Sequence, residues 1–413
     1  MSYIFIAIIV IIIIDYALER YLAYLNIQSS KKNLPNLLSD IYDADKYTQQ
    51  QEYFRINSRF GMLTSTFSVV LLLLMLLLGG FSWLDTIIRI YLHNEMMISL
   101  VFFGLIFIIS DLLTTPFDYY DTFVIEQRFD FNKVTPKLFF IDKLKGYGLT
   151  IIIGGGLLAL IYWIYSMTSD YFWLLAWSIV TIFSLFMSMF YSELIVPLFN
   201  KQTPLESGEL RDKIEEFANK AGFKLSNIYI IDGSKRSTKA NAYFTGLGGK
   251  KRIVLYDTLM DKLTADEIVA VLAHEIGHYK HKHVLKNYIF SLPGTLLMFF
   301  LLGIILKNDV FAQALGLQSA SFHINLLVFG MLFTPISIIT GLISNILSRK
   351  YEYQADGYAN SFGYGNLLIS GLKKLSATSL SNLMPHSLYV FFHYSHPTLY
   401  QRIIAINNCN KKN

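Results

Sequence analysis

Residues Leu272-Ala273-His274-Glu275-Ile276-Gly277-His278 hold the pattern H-E-x-x-H. Two histidines at this spacing stand one turn apart on the same face of an α-helix, so both imidazoles reach a single metal ion. The glutamate between them lies beside that ion, placed to take a proton from a water the metal holds. The bland alternative is a polar helix face on which two histidines happen to align. The local sequence favours the first reading. Thr264-Ala265-Asp266-Glu267 predicts a capping box, with Thr264 as the cap and Glu267 as its reciprocal partner, and neither Gly nor Pro follows until Gly277.

A catalytic zinc ordinarily takes three protein ligands and keeps a fourth position for water. His281 and His283 lie nearby; His281 falls on the face of His278, but among Lys280, Lys282 and Lys286 it reads as a solvated residue on a basic helix end. Glu352 is the better candidate. Glu352 and Asp356 share a helix face, so Glu352 could bind the metal while Asp356 accepts the free ring N–H of a ligand histidine. Pattern alone leaves that pair open, since an ordinary charged helix start would look the same. A third polar cluster holds His396, Pro397, Thr398 and Arg402. A cationic group near the metal could stabilise the oxyanion of a tetrahedral intermediate; taken alone, the cluster reads as a surface turn stopped by Pro397.

The elements that must position these residues are membrane elements. Hydrophobic residues make up 53% of the chain and charged residues 16%, whereas a soluble domain carries about a quarter charged residues. A single cysteine, Cys409, excludes a disulfide framework and a cysteine-based zinc site. The net charge of +5 fits extra Lys/Arg in cytoplasmic loops and calls for no nucleic-acid partner. Seven runs are long and apolar enough to span a bilayer, near 3–22, 63–83, 97–115, 148–167, 171–196, 288–306 and 325–346. Lys and Arg concentrate in alternate loops: Arg20, Lys31, Lys32, Lys46, Arg55 and Arg59 after the first run, Arg128 through Lys145 after the third, and again after the fifth and seventh. That alternation puts the N-terminus outside and the H-E-x-x-H helix in the cytoplasm.

The polar interval between the fifth and sixth spans predicts a small α+β insert. Ser207–Ala221 is amphipathic, 227–231 and 252–256 are strand-like, and 240–244 is extended, with a turn at 246–249. The chain thus divides into 1–197 with spans one to five, the insert at 198–287, spans six and seven at 288–347, and a cytoplasmic segment at 348–413 that completes the site. The fold class is mainly α, a polytopic membrane protein with the α+β insert on its cytoplasmic side.

These residues together resemble the CAAX prenyl protease 1 family of integral-membrane zinc metalloproteases. Beyond His274-Glu275-x-x-His278, Glu352 to Asp356, His396-Pro397 and Arg402, the likeness includes Phe123 to Glu126 with Phe131-Asn132, Pro197 to Asn200 with Thr203-Pro204-Leu205, Gly233 to Ser237, Asn241 to Phe244, and Lys251 to Leu259. The resemblance implies seven helices enclosing a water-filled chamber, with one zinc ion held by His274, His278 and Glu352. It implies Glu275 as general base, Asp356 orienting a ligand histidine, and His396 and Arg402 polarising the scissile carbonyl. Asn241, Ala242 and Tyr243 would hold the substrate backbone as an added β-strand. The implied substrates are prenylated CAAX proteins trimmed of their last three residues, and the chain is expected as a monomer in the bilayer.

The composition, rich in Ile, Lys, Asn and Tyr, suits a bacterial inner membrane; in a eukaryote the endoplasmic reticulum membrane would be its counterpart. A bacterial host would point to an alternative, quality control of misfolded membrane proteins without a prenyl requirement. A transporter or silent chamber protein is a further reading, but Asp111 and Glu193 are the main charges within the spans and lie near their ends. A motif helix buried in the membrane is excluded by Asp266, Glu267, Lys280 and Lys282.

Overall fold

The computed structural model describes residues 2–30, 34–168, 170–223, 227–245 and 252–410. Six described helices are long and apolar enough to cross a membrane: Ala44–Leu77, Glu95–Glu126, Pro136–Met167, Phe172–Phe199, His283–Leu306 and Phe322–Ser361. The first expected span forms a 27-residue helix, Tyr3–Ser29, in which Asp15, Glu19 and Arg20 interrupt the apolar run. A count of seven holds when that helix is included.

Helices outrun their apolar cores because nothing polar in the flanks stops them. The second begins at Ala44, capped by the Asp43 side chain, well ahead of the apolar run. It ends sooner than the hydropathy predicts. Gly79 sits at φ +67°, a left-handed conformation that glycine adopts without strain. The chain there turns into a separate helix, Gly80–Tyr91, whose inner face carries Phe81, Leu84, Asp85 and Ile88. The last span is part of one 40-residue helix, Phe322–Ser361, that carries Glu352 and Asp356 without a break after the membrane run.

At the end of this helix far from those acids, a buried polar network ties three helices. His323 Nε2 donates to Asp85 Oδ1 at 2.8 Å, and Ser99 Oγ lies 3.2 Å from His323 Nδ1. Arg89 holds Asp85 through Nε at 3.0 Å and Glu95 through Nη1 at 2.5 Å. The Ser, His and Asp stand in line, but the ring nitrogens are reversed relative to a hydrolase triad, and Ser99 is 1% and His323 0% exposed. No substrate reaches them; the network is a cross-link.

The insert folds on a four-stranded sheet: β1 (Gln202–Pro204), β2 (Asn227–Ile231), β3 (Ala242–Thr245) and β4 (Arg252–Tyr256), in the order β1-β2-β4-β3. β2 and β4 run parallel, and both outer strands are antiparallel to their neighbours. β1 escapes the sequence reading: it is three residues long, polar, and ends on Pro204, which suits only a sheet edge. The amphipathic helix runs Glu209–Lys220; the turn expected at 246–249 lies outside the described residues. Ile214 and Phe217 from that helix, Ile228, Ile253 and Leu255 from the sheet, and Ile268, Leu272 and Ile276 form one core. Ala359 and Leu368 from the C-terminal part join it, so the insert and the end of the 40-residue helix share a single hydrophobic interior.

Candidate metal centre and active site

The motif helix spans Ala265–Lys280 and starts on the capping box: Thr264 Oγ1 accepts from Glu267 N, and Glu267 Oε2 accepts from Thr264 N at 2.8 Å. Glu267 also accepts from Ser370 Oγ at 2.7 Å and Lys374 Nζ at 2.8 Å, which fastens the helix Gly365–Thr378 alongside. Burial pushes the Glu267 carboxyl up, but Lys374, Ser370 and the Thr264 amide outweigh it and hold the group below its ordinary value.

The motif helix meets the 40-residue helix at Gly277. A Cβ there would come within 3.0 Å of both Ala355 Cα and Tyr358 Cβ, so only glycine permits this approach. The approach brings ligand atoms of His274, His278 and Glu352 within 4.8 Å of one another. The two Nε2 atoms face each other at 3.2 Å; Glu352 Oε1 lies 3.2 Å from His278 Nε2 and Oε2 lies 3.4 Å from His274 Nε2. Glu352 Oε2 is buried and has no hydrogen-bond partner. Converging imidazole nitrogens beside an orphaned carboxylate oxygen fit one divalent cation.

Each of these groups is braced from behind. Asp356 Oδ1 lies 2.9 Å from His274 Nδ1. Arg402, from the helix Leu399–Asn410, grips Asp356 with Nε at 2.9 Å and Nη2 at 2.5 Å, and its Nη1 lies 3.7 Å from Glu352 Oε2. Burial and Arg402 both push His274 down, yet Asp356 and Glu352 outweigh them and raise it to about 9. Burial also opposes the charge of Arg402, but Asp356 and Glu352 hold its pKa above the ordinary value. His396 keeps a 61% exposed side chain with Nε2 at 3.3 Å from Glu352 Oε1. His278 Nδ1 lies 3.1 Å from His283 Nδ1, a contact absent from the sequence reading, which weighed His283 only as a ligand.

His274, His278, His283, Glu352, His396 and Arg402 line a cavity of about 790 Å³ together with Glu275, Asn241 and Ala242. Tyr243 points the other way, as the next residue of a strand must. Its hydroxyl lies 3.2 Å from Ser192 Oγ, and its ring lines a second cavity with Tyr191, Phe199 and Arg236. β3 is the last strand of its sheet, and its outer edge pairs with no strand among the described residues. Asn241 Oδ1 accepts from Ala242 N at 2.9 Å at the start of that edge.

Comparison with known proteins agrees over almost the whole chain. Residues 23–201 match the family described as CAAX prenyl protease N-terminal, five membrane helices, and residues 204–410 match peptidase family M48. CAAX prenyl protease 1 of Saccharomyces cerevisiae is 36% identical, covering 97% of this chain and 94% of that protein. The Arabidopsis thaliana homologue is 34% identical over 97% and 96%, and the human one 31% over 95% and 92%. The crystal structure of S. mikatae Ste24p superposes with a TM-score of 0.92 at 34% identity, covering 98% of this chain and 99% of that one. By sequence, architecture and length alike, the chain belongs to the CAAX prenyl protease 1 family within peptidase family M48 and is a multi-pass membrane metalloprotease.

Proposed function

We propose that this protein is a zinc endopeptidase that removes the C-terminal tripeptide of prenylated CAAX proteins. The observation that carries the reading is the meeting of His274, His278 and Glu352 in one cavity with Glu275, beside an open strand edge. His274 and His278 through Nε2, and Glu352 through its carboxylate, would hold the ion. Two imidazoles and a carboxylate with one position left over favour zinc over harder cations. When bound, zinc supplies Lewis acidity toward the attacking water and the scissile carbonyl.

The chain's own residues do the rest. The substrate lies along β3 as an added strand at Asn241, Ala242 and Tyr243; the Asn241 carbonyl bonds Tyr256 in β4 and the Tyr243 main chain faces Val254, so Ala242 presents the outward main-chain groups, which leaves side-chain preference loose. The Glu275 carboxylate takes the proton of the attacking water and delivers it to the leaving amine nitrogen. The exposed His396 imidazole donates to the developing oxyanion. Arg402, already committed to Asp356, adds positive charge and keeps Glu352 and His274 in place.

The protein acts as a monomer, with the site on the cytoplasmic face, as the alternation of Lys and Arg between loops supports. For prenylated CAAX substrates the setting is the endoplasmic reticulum membrane of a eukaryote; the bacterial inner membrane that the composition suits belongs to the quality-control alternative.

The test is cleavage of a farnesylated CAAX peptide by the detergent-purified protein, with and without a zinc chelator, beside Glu275→Gln. Cleavage should need the metal, and the variant should keep zinc while losing activity. Full activity in Glu275→Gln would sink the mechanism. Equal cleavage of an unprenylated, unfolded membrane substrate would move the function to quality control.

A further inference from the structure

We propose that His283 is a positioning residue for the metal centre: its Nδ1 accepts the Nδ1–H of His278, which leaves His278 Nε2 bare to bind the metal. The inference rests on the metalloprotease reading above. It follows from a chain of hydrogen-bond roles, each of which fixes the next.

His283 Nε2 lies 2.8 Å from Gln354 Oε1. An amide oxygen only accepts, so the proton of His283 is on Nε2 and its Nδ1 carries a lone pair. That Nδ1 lies 3.1 Å from His278 Nδ1. Two bare nitrogens do not attract, so His278 donates from Nδ1. Neutral imidazole has one proton, and His278 Nε2 is therefore the lone-pair atom facing Glu352 and His274. The metal ligand's tautomer is thus written two residues back, at the Gln354 amide.

The relay is built rather than incidental. His283 is 2% exposed, and its ring stacks on Tyr351 at 4.2 Å with planes 12° apart. It reaches this place because Lys282 takes a left-handed φ of +56°, turning the chain sharply between the motif helix and His283–Leu306. Tyr351, Glu352, Gln354 and Asp356 all stand on the 40-residue helix. One helix supplies the third ligand, the brace behind His274 and the anchor of the brace behind His278.

The test is zinc affinity of the full-length, detergent-purified chain, read by competition with a chromophoric chelator. Replacing the outer partner of a ligand histidine typically weakens metal binding about 10- to 100-fold. His283→Phe keeps a ring over Tyr351 and has no acceptor, and should show that loss. His283→Asn can turn its amide oxygen toward His278 and should recover most of it, and Gln354→Glu, an obligate acceptor, should keep the parent affinity. A purely structural role predicts the reverse order, with Phe harmless and Asn damaging. Parent-like zinc affinity in His283→Phe, or equal losses in Phe and Asn, would overturn the proposal. Should His283→Phe fail to fold, judged by thermal unfolding in chelator, Gln354→Met carries the same test: weakened zinc binding supports the relay and unchanged binding refutes it. A parent chain that binds no zinc would sink both readings, whereas a parent that binds zinc but cleaves no peptide would sink only the proposed function.

Discussion

Gly277→Ala is the smallest change that should disturb the active site without touching a ligand. The added methyl would stand 3.0 Å from Ala355 Cα, 3.0 Å from Tyr358 Cβ and 3.2 Å from Ala355 O. Two of these are backbone atoms of a long helix, which cannot turn aside as a flexible side chain would. The helices must therefore part by a few tenths of an ångström. Ala355 lies between Glu352 and Asp356, so the displacement falls on the third ligand and on the brace of His274. Metal sites tolerate about 0.2 Å in ligand distance, and misplacement of about 1 Å costs on the order of 10²-fold in rate. Overpacking costs about 1–3 kcal/mol, and the better helix propensity of alanine returns about 1 kcal/mol of it. The expected outcome is a modest loss of thermal stability with a disproportionate, roughly tenfold or greater, loss of zinc affinity and of peptide cleavage. Paired measurements of unfolding temperature and chelator-competed zinc affinity decide the matter. A variant that binds zinc and cleaves like the parent would refute the claim that this close crossing sets the metal geometry.

Zinc uptake should be coupled to protons. The folded metal-free protein holds His274 at about 9 against an ordinary 6.5, so the proton's contribution to stability is complete below pH 6.5 and lost as pH rises through about 9. Zinc must displace that proton, so apparent zinc affinity should climb about one decade per pH unit from neutral to about 9, then flatten; calorimetry in buffers of different ionisation heat would read the proton directly. Asp356→Asn leaves Arg402 buried without its bidentate partner, and should destabilise the fold by about 3 kcal/mol, visible in thermal unfolding, and lower the raised titration of His274, which Glu352 alone would then support. His323→Leu should lower the unfolding temperature while leaving zinc affinity unchanged, because its network lies at the end of the 40-residue helix far from the site. Thr264→Ala removes the cap of the motif helix and should cost about 1 kcal/mol in chemical unfolding.

The parts of the fold written in local sequence were legible. Long apolar runs located the membrane helices, and Thr264 with Glu267 located the start of the motif helix. Where these helices end was not legible from hydropathy, because a helix leaving the bilayer keeps its hydrogen bonds and stops only at a backbone signal. Such a signal was present at Gly79-Gly80, where a run read as one span breaks into two helices. It was missing after Ile346, where the helix runs on to Ser361. In the site, the spacing of His274 and His278 and of Glu352 and Asp356 named a ligand face on each helix. Spacing could not foretell that Arg402 closes on Asp356, or that His283 turns back on His278. Those contacts depend on how separate elements pack. Tyr243 illustrates a different limit: strand alternation predicts that its side chain opposes that of Ala242, yet nothing local says which face borders the cavity.

The unbroken helix Phe322–Ser361 makes membrane depth a coordinate of the reaction. Glu352 lies on the same rod as the apolar run ending near Ile346, about 9 Å farther along at 1.5 Å per residue. A single-residue insertion or deletion between the two would swing the carboxylate by about 100° around the axis, off the metal site. The length of this stretch is therefore fixed by the site it feeds. A bilayer thinner than the apolar run can be met by tilt, and tilt moves the same carboxylate. Lipid thickness, through one helix, becomes a setting of the enzyme.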